Sequence, residues 1–146
     1  NKTSRLYRAL VEGEISVSCH GGLQATLDPY LYTIHLTVHP SHTPEEVLVA
    51  FDQEIAGILE SAVKAAEIER SIKQAKALFA YSSENISNQA FWLGYAEMFD
   101  SYNWFENYID HLSTVTPEKA LQIAQEYLHP ANRVVGFYTP AESQAT

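Results

Sequence analysis

The stretch Tyr30-Leu31-Tyr32-Thr33-Ile34-His35-Leu36-Thr37-Val38-His39-Pro40 decides the architecture. Tyr30, Tyr32, Ile34, Leu36 and Val38 alternate with Leu31, Thr33, His35, Thr37 and His39. Alternation of this length predicts a strand with one apolar, buried face and one polar face. Its β-branched and aromatic residues suit a pleated surface. Upstream, Ile15, Val17 and Cys19 alternate with Ser16, Ser18 and His20, which predicts a second strand. Gly21-Gly22 through Asp28-Pro29 reads as a loop. The two strands are therefore expected to form an antiparallel hairpin with a long connection.

Helical patterns surround the hairpin. Ser4 to Val11 places Leu6, Tyr7, Leu10 and Val11 on one face and Arg5 and Arg8 on another, and Gly13 ends it. Thr43-Pro44-Glu45-Glu46 combines an N-cap, a proline at the first helical position and a capping box. The helix it starts buries Val47, Phe51, Ile55, Ile58, Leu59 and Ala62. A second helix runs from about Ala65, with Ile68, Ile72, Ala75 and Phe79 on its apolar face, and breaks at Ser82 to Asn85. Helices resume over Ser87–Phe99 and Asn103–Leu112, and Thr116-Pro117-Glu118 opens a last one reaching about Leu128. Arg133 to Tyr138 reads as a closing strand, and 141–146 as a disordered tail. The expected fold class is α+β, a small, largely antiparallel sheet with helices packed on one face, in a single domain over 1–140.

The 146 residues, 46% apolar and 18% charged, describe an ordinary soluble globular protein. No stretch approaches the roughly 18 apolar residues that cross a membrane. A net charge of -9 argues against nucleic acid or an anionic membrane as partner. A single cysteine, Cys19, excludes an intrachain disulfide and leaves the compartment open. The start at Asn1, without Met, fits a mature product or a piece of a longer chain.

A self-contained active site is hard to find. Neither H-x-x-E-H nor H-E-x-x-H occurs among the six histidines. His20, His35 and His39 fall on the polar halves of their strands, but four strand residues span roughly 13 Å, too far for His35 and His39 to share an ion. Cys19 and His20 are strand neighbours pointing to opposite faces, so they form no dyad. The aromatics from Phe91 to Tyr108 read as core at helical spacing, with a binding platform as the alternative. Arg8 stands out as a bidentate donor for carboxylate or carbonyl oxygens, against the plainer reading of a solvated helix residue.

Four stretches, in order, resemble one family. Ser4-Arg5-Leu6-Tyr7-Arg8-Ala9-Leu10-Val11-Glu12 is similar to its S-R-L-[FY] helix, and Asp28-Pro29-Tyr30-Leu31-Tyr32-Thr33-Ile34 to its D-x-G-L-F-x-I strand. Ala66-Glu67-Ile68-Glu69-Arg70 through Lys76 resembles its E-E-E-L-x-x-A-K helix. Val115-Thr116-Pro117-Glu118, with Tyr127-Leu128-His129-Pro130-Ala131-Asn132 and Val135-Gly136, resembles V-T-x-x-D…Y-L-x-P-x-N-x-x-V-G. The family is the pitrilysin/insulinase-type zinc metallopeptidases, which include mitochondrial processing peptidase. Two homologous halves there enclose a chamber, and one half carries H-x-x-E-H.

The resemblance implies that this chain is the C-terminal part of a non-catalytic half, inactive alone. It would close the chamber and help bind a peptide or unfolded protein substrate. No cofactor is expected in the chain, and zinc would belong to the partner half or a homologous catalytic subunit. The polar strand faces, Ser16/Ser18/His20 and Thr33/His35/Thr37/His39, would look into the chamber. Arg8 matches the family's substrate-binding Arg, while Ile15 stands where active members have a Tyr. Two alternatives stay open. One is a degenerate homologue serving as a structural or assembly subunit without a peptide role; the other is a self-sufficient metal-binding domain using the strand histidines.

Overall fold

The computed structural model describes residues 2–24, 26–28, 30–61 and 63–140. The expected tail at 141–146 lies outside them, as does Ala62. The chain enters through a helix that turns into a π-helix over Tyr7–Glu12. Leu10, on its apolar face, is fully buried. The π-helix ends where Gly13 lies so close to the preceding turn that a Cβ there would sit 2.4 Å from the Ala9 carbonyl oxygen. Glu14, at φ 58°, then turns the chain into the first strand.

Strands β1 (Ser16–Leu23) and β2 (Tyr32–Val38) form the expected antiparallel hairpin. Ile34, Leu36 and Val38 are half-buried, whereas His35 and Thr37 are exposed, as the alternation predicts, but Tyr30 and Tyr32, expected on the same buried face, are exposed beyond the reach of the helices. The alternation of β1 misleads. Ser16 opposes Val38 and Ser18 opposes Thr37, so Val17 is an extra residue in a β-bulge. One inserted residue reverses the facing of everything before it. Ser16 is therefore buried at 2% exposure beside Val38, and Val17 is 55% exposed, the opposite of the assignment read from the sequence. Gly21 and Gly22 belong to β1 rather than to the loop. The Tyr32 hydroxyl lies over Gly21, in space that a Cβ would enter at 2.7 Å.

Helix α1 (Pro44–Glu60) begins with the expected capping box. Thr43 Oγ1 accepts from the Glu46 N–H at 3.2 Å, and Glu46 Oε2 accepts from the Thr43 N–H at 2.9 Å. Helices α2 (Ala65–Ser82), α3 (Ile86–Phe99) and α6 (Pro117–Tyr127) follow the sequence reading closely. The helix expected over Asn103–Leu112 is two short ones, α4 (Tyr102–Glu106) and α5 (Tyr108–Ser113), parted at Asn107. α1 packs against the π-helix, β2 and α6, so helices cover one side of the hairpin in an α+β arrangement. The most buried apolar residues, Leu10, Val47, Ala96 and Ala124, come from the π-helix, α1, α3 and α6.

The aromatics divide. Phe79 of α2 meets Phe105 and Tyr108 with ring centroids 5.0 and 5.2 Å apart, joining α2 to α4 and α5. Phe91, Tyr102 and Trp104 are exposed, so only part of that cluster is core. The closing strand expected over Arg133 to Tyr138 does not form among the described residues. Among the described residues β1 and β2 pair only with each other, and this segment joins neither outer edge of that hairpin. Arg133 instead bonds to Asp52 of α1, with Nη2 donating to Oδ2 at 3.0 Å, and Val134 and Tyr138 are almost fully exposed.

Candidate functional site

Arg5 and Arg8, three residues apart, lie on the polar side of the N-terminal helix. Lys64, Glu67 and Arg70 repeat the three-residue step along the start of α2. The two stripes meet around a surface pocket of about 360 Å³. Its charged lining comprises four cationic side chains and one carboxylate.

That carboxylate is already engaged. Arg5 Nε donates to Glu67 Oε1 at 2.9 Å and Arg5 Nη2 donates to Oε2 at 2.8 Å. The Lys64 N–H donates to Oε2 at 3.1 Å, so Glu67 also satisfies a free amide at the start of α2. The Arg5 hydrogen bonds, followed by the Lys64 amide and both nearby cations, hold the Glu67 carboxyl down at about 2 against the opposing effect of burial. The same pairing pushes the Arg5 guanidinium up. Arg8, Lys64 and Arg70 are exposed at the pocket. Among the described residues, neither Arg8 nor Arg70 has an ion-pair partner.

The polar hairpin face is a second candidate surface. Ser18 Oγ donates to Thr37 Oγ1 at 2.8 Å, and His20 stands directly opposite His35. Ser16 is not on this face, because the bulge turns it inward. His39 lies beyond β2, with Nδ1 at 2.6 Å from Ser41 Oγ and its ring edge-on to His42. Among the described residues, no three His, Cys, Asp or Glu side chains converge on a point that could hold a metal. Cys19 pairs across the hairpin with Leu36, and burial pushes its thiol up, which suits packing rather than nucleophilic attack.

The sequence reading singled out Arg8 and put Arg5 on the same face; both line the pocket. It missed Lys64, Glu67 and Arg70 as site residues. Their i, i+3 spacing was readable, but nothing local reveals that α2 returns to the N-terminal helix.

Comparison with known proteins adds an independent line. Residues 1–75 match the family described as the Peptidase M16 inactive domain. No curated protein sequence matches the chain. Two solved structures share its fold. One is a candidate zinc protease from Bordetella pertussis Tohama I, with TM-score 0.83 and 20% identity over 97% of this chain and 78% of that one. The other is the inactive peptidase domain of a candidate zinc protease from Bordetella parapertussis, with TM-score 0.85, the same identity and the same coverage. At that identity the likeness establishes the fold alone.

Proposed function

Because the chain belongs to the Peptidase M16 inactive-domain family, we propose that it is the non-catalytic portion of a two-half zinc metalloendopeptidase. In this reading it folds as one α+β unit over 1–140, closes the substrate chamber and helps bind peptide. The zinc ligands and the general base come from the partner half or a homologous catalytic subunit. The observation that carries the reading is the family match. The solved inactive peptidase domain of a candidate zinc protease, alike over 97% of this chain, supports it. Exposed apolar residues at the hairpin tip, Leu23, Leu31 and Tyr32, and in the C-terminal segment, Val134, Phe137 and Tyr138, are surfaces a partner half would cover.

Arg8 is the residue proposed to touch peptide. Its guanidinium can donate two parallel hydrogen bonds to a carboxylate or to backbone carbonyl oxygens. In the full protein assembled with its catalytic half, Arg8→Ala should raise KM for peptide cleavage about tenfold, the loss of one charge-assisted contact. An unchanged KM would remove Arg8 from the site. Failure of the purified protein to copurify with, or contain, an H-x-x-E-H half would remove the divided peptidase itself.

One feature favours a second reading, an assembly subunit without a peptide role. Ile15 occupies the position at which the resemblance implies a tyrosine, and its backbone is engaged at the base of the hairpin. Its N–H donates to the Leu10 carbonyl at 2.9 Å, and its carbonyl accepts from the His39 N–H at 3.1 Å. Peptide binding by the assembled protein separates the two readings.

A further inference from the structure

We infer that the pocket between the N-terminal helix and α2 takes a carboxylate of the bound peptide, an acidic side chain or a free C-terminus. The assembled protein would then favour acidic peptides. This inference rests on the reading of the chain as a peptide-binding half.

The charge distribution is the first argument. The chain has nine Lys and Arg residues against eighteen Asp and Glu. Four of the nine cations line one pocket, with a single carboxylate beside them. An acidic protein that gathers its scarce cations in one concavity creates a local potential opposite in sign to the whole.

The second argument is the division of labour inside the pocket. Arg5 and Glu67 satisfy each other at two points, and Glu67 also caps α2. That pair braces the pocket wall, and its carboxylate accepts from Arg5 and from the Lys64 amide. Arg8 and Arg70 lack an ion-pair partner among the described residues. Lys64 acts on Glu67 only as a nearby charge and through its backbone amide. Cations of like sign held round one space repel each other, and an anion entering it relieves that repulsion.

Size and position complete the case. A volume of about 360 Å³ is at the small end of ligand pockets, enough for a side chain or a chain end. Ala66, in the first turn of α2, forms part of the wall, so the positive end of that helix adds to the field. Arg8 borders the same pocket, so a peptide gripped by Arg8 has its neighbouring residue beside Lys64 and Arg70. Carboxylates are the anions an unmodified peptide carries.

The test is calorimetric titration of the full assembled protein with unlabelled peptides of one length. The set comprises a neutral peptide ending in an amide, the same peptide as free acid, and an amide with internal Gln→Glu changes. The glutamate peptide, the free acid or both should bind about tenfold more tightly than the neutral amide, as two or three partly exposed charge pairs allow. Whichever gains identifies the source of the carboxylate. In a Lys64→Gln/Arg70→Gln double variant, which leaves Arg5 and Glu67 in place, the ratio of acidic to neutral affinity should fall to near one. Equal affinity for all peptides in the native protein, or a ratio untouched by the double variant, overturns the inference while leaving peptide binding intact. Absence of binding by every peptide overturns the peptide-binding reading and this inference together.

Discussion

Arg5 and Glu67, 62 residues apart in sequence, meet in a two-point ion pair that fastens the N-terminal helix to the first turn of α2. Each side chain keeps 29% of its exposure, so solvent screens the pair only in part. Charge-assisted, bidentate geometry puts it at the upper end of surface pairs, about 1 kcal/mol.

Acid should therefore loosen this junction in a defined window. The Glu67 carboxyl is depressed from 4.5 to about 2 by Arg5, so its contribution is complete above the unfolded value and is lost as pH falls from there through the folded value. Glu67→Gln should cost about 1 kcal/mol near neutral pH and flatten the decline of stability below about pH 4.5. Urea unfolding across that range measures both, and an unaltered pH profile in the variant would refute the assignment.

Gly13→Ala tests the close approach that ends the π-helix. Its new Cβ would lie 2.4 Å from the Ala9 carbonyl oxygen, a backbone atom that cannot swing aside. A loss of about 1–3 kcal/mol in denaturant unfolding is expected, typical of overpacking. Tolerance of alanine would mean that the turn has slack.

The bulge at Val17 predicts an inverted pair of substitutions. Ser16 is 2% exposed and its hydroxyl has no hydrogen-bond partner among the described residues. Ser16→Ala should stabilise by about 0.5–1 kcal/mol by removing an unpaired buried oxygen. Val17→Ser should change stability by less than about 0.5 kcal/mol, since the side chain is 55% exposed. The reverse ranking in thermal melts would restore unbroken alternation.

Arg133 and Asp52 join the C-terminal segment to α1. The pairing holds the Asp52 carboxyl below its usual range. Asp52→Asn should speed limited proteolysis after residue 132 by about two- to fivefold, the effect of a partly exposed pair, with little change in global stability. Identical cleavage rates would show that the segment is held by something else.

How much of this was legible depends on whether the deciding contact is local. The caps at Thr43 and Thr116 sit within three residues of their partners, and both formed where the sequence placed them. The apolar face of β2 was equally clear from Ile34 to Val38, because period two is a property of one strand, whereas Tyr32 on the same face is exposed. The facing of Ser16 and Val17 was not, since a bulge is a choice of register between two strands and leaves no mark on composition. Arg133 to Tyr138 has strand chemistry but pairs with neither outer edge of the hairpin, and that pairing is a long-range matter its composition does not decide. The site was half legible for the same reason. Arg8 stood out on its own helix, while Lys64 and Arg70 acquire meaning only when the chain folds α2 against it.

The crowding of four cations round one pocket on a molecule of net charge -9 also has a kinetic consequence. Such a cluster sets up a local positive potential, so an anionic chain would be repelled by the net charge of the molecule and drawn in near one mouth. Encounters are thereby oriented before contact, and wrong approaches are shortened. That guidance reaches only about one Debye length, roughly 8–10 Å in physiological salt. Lower salt extends the repulsion by the net charge as well as the pull of the pocket, so the salt dependence of peptide capture would read the balance between the two.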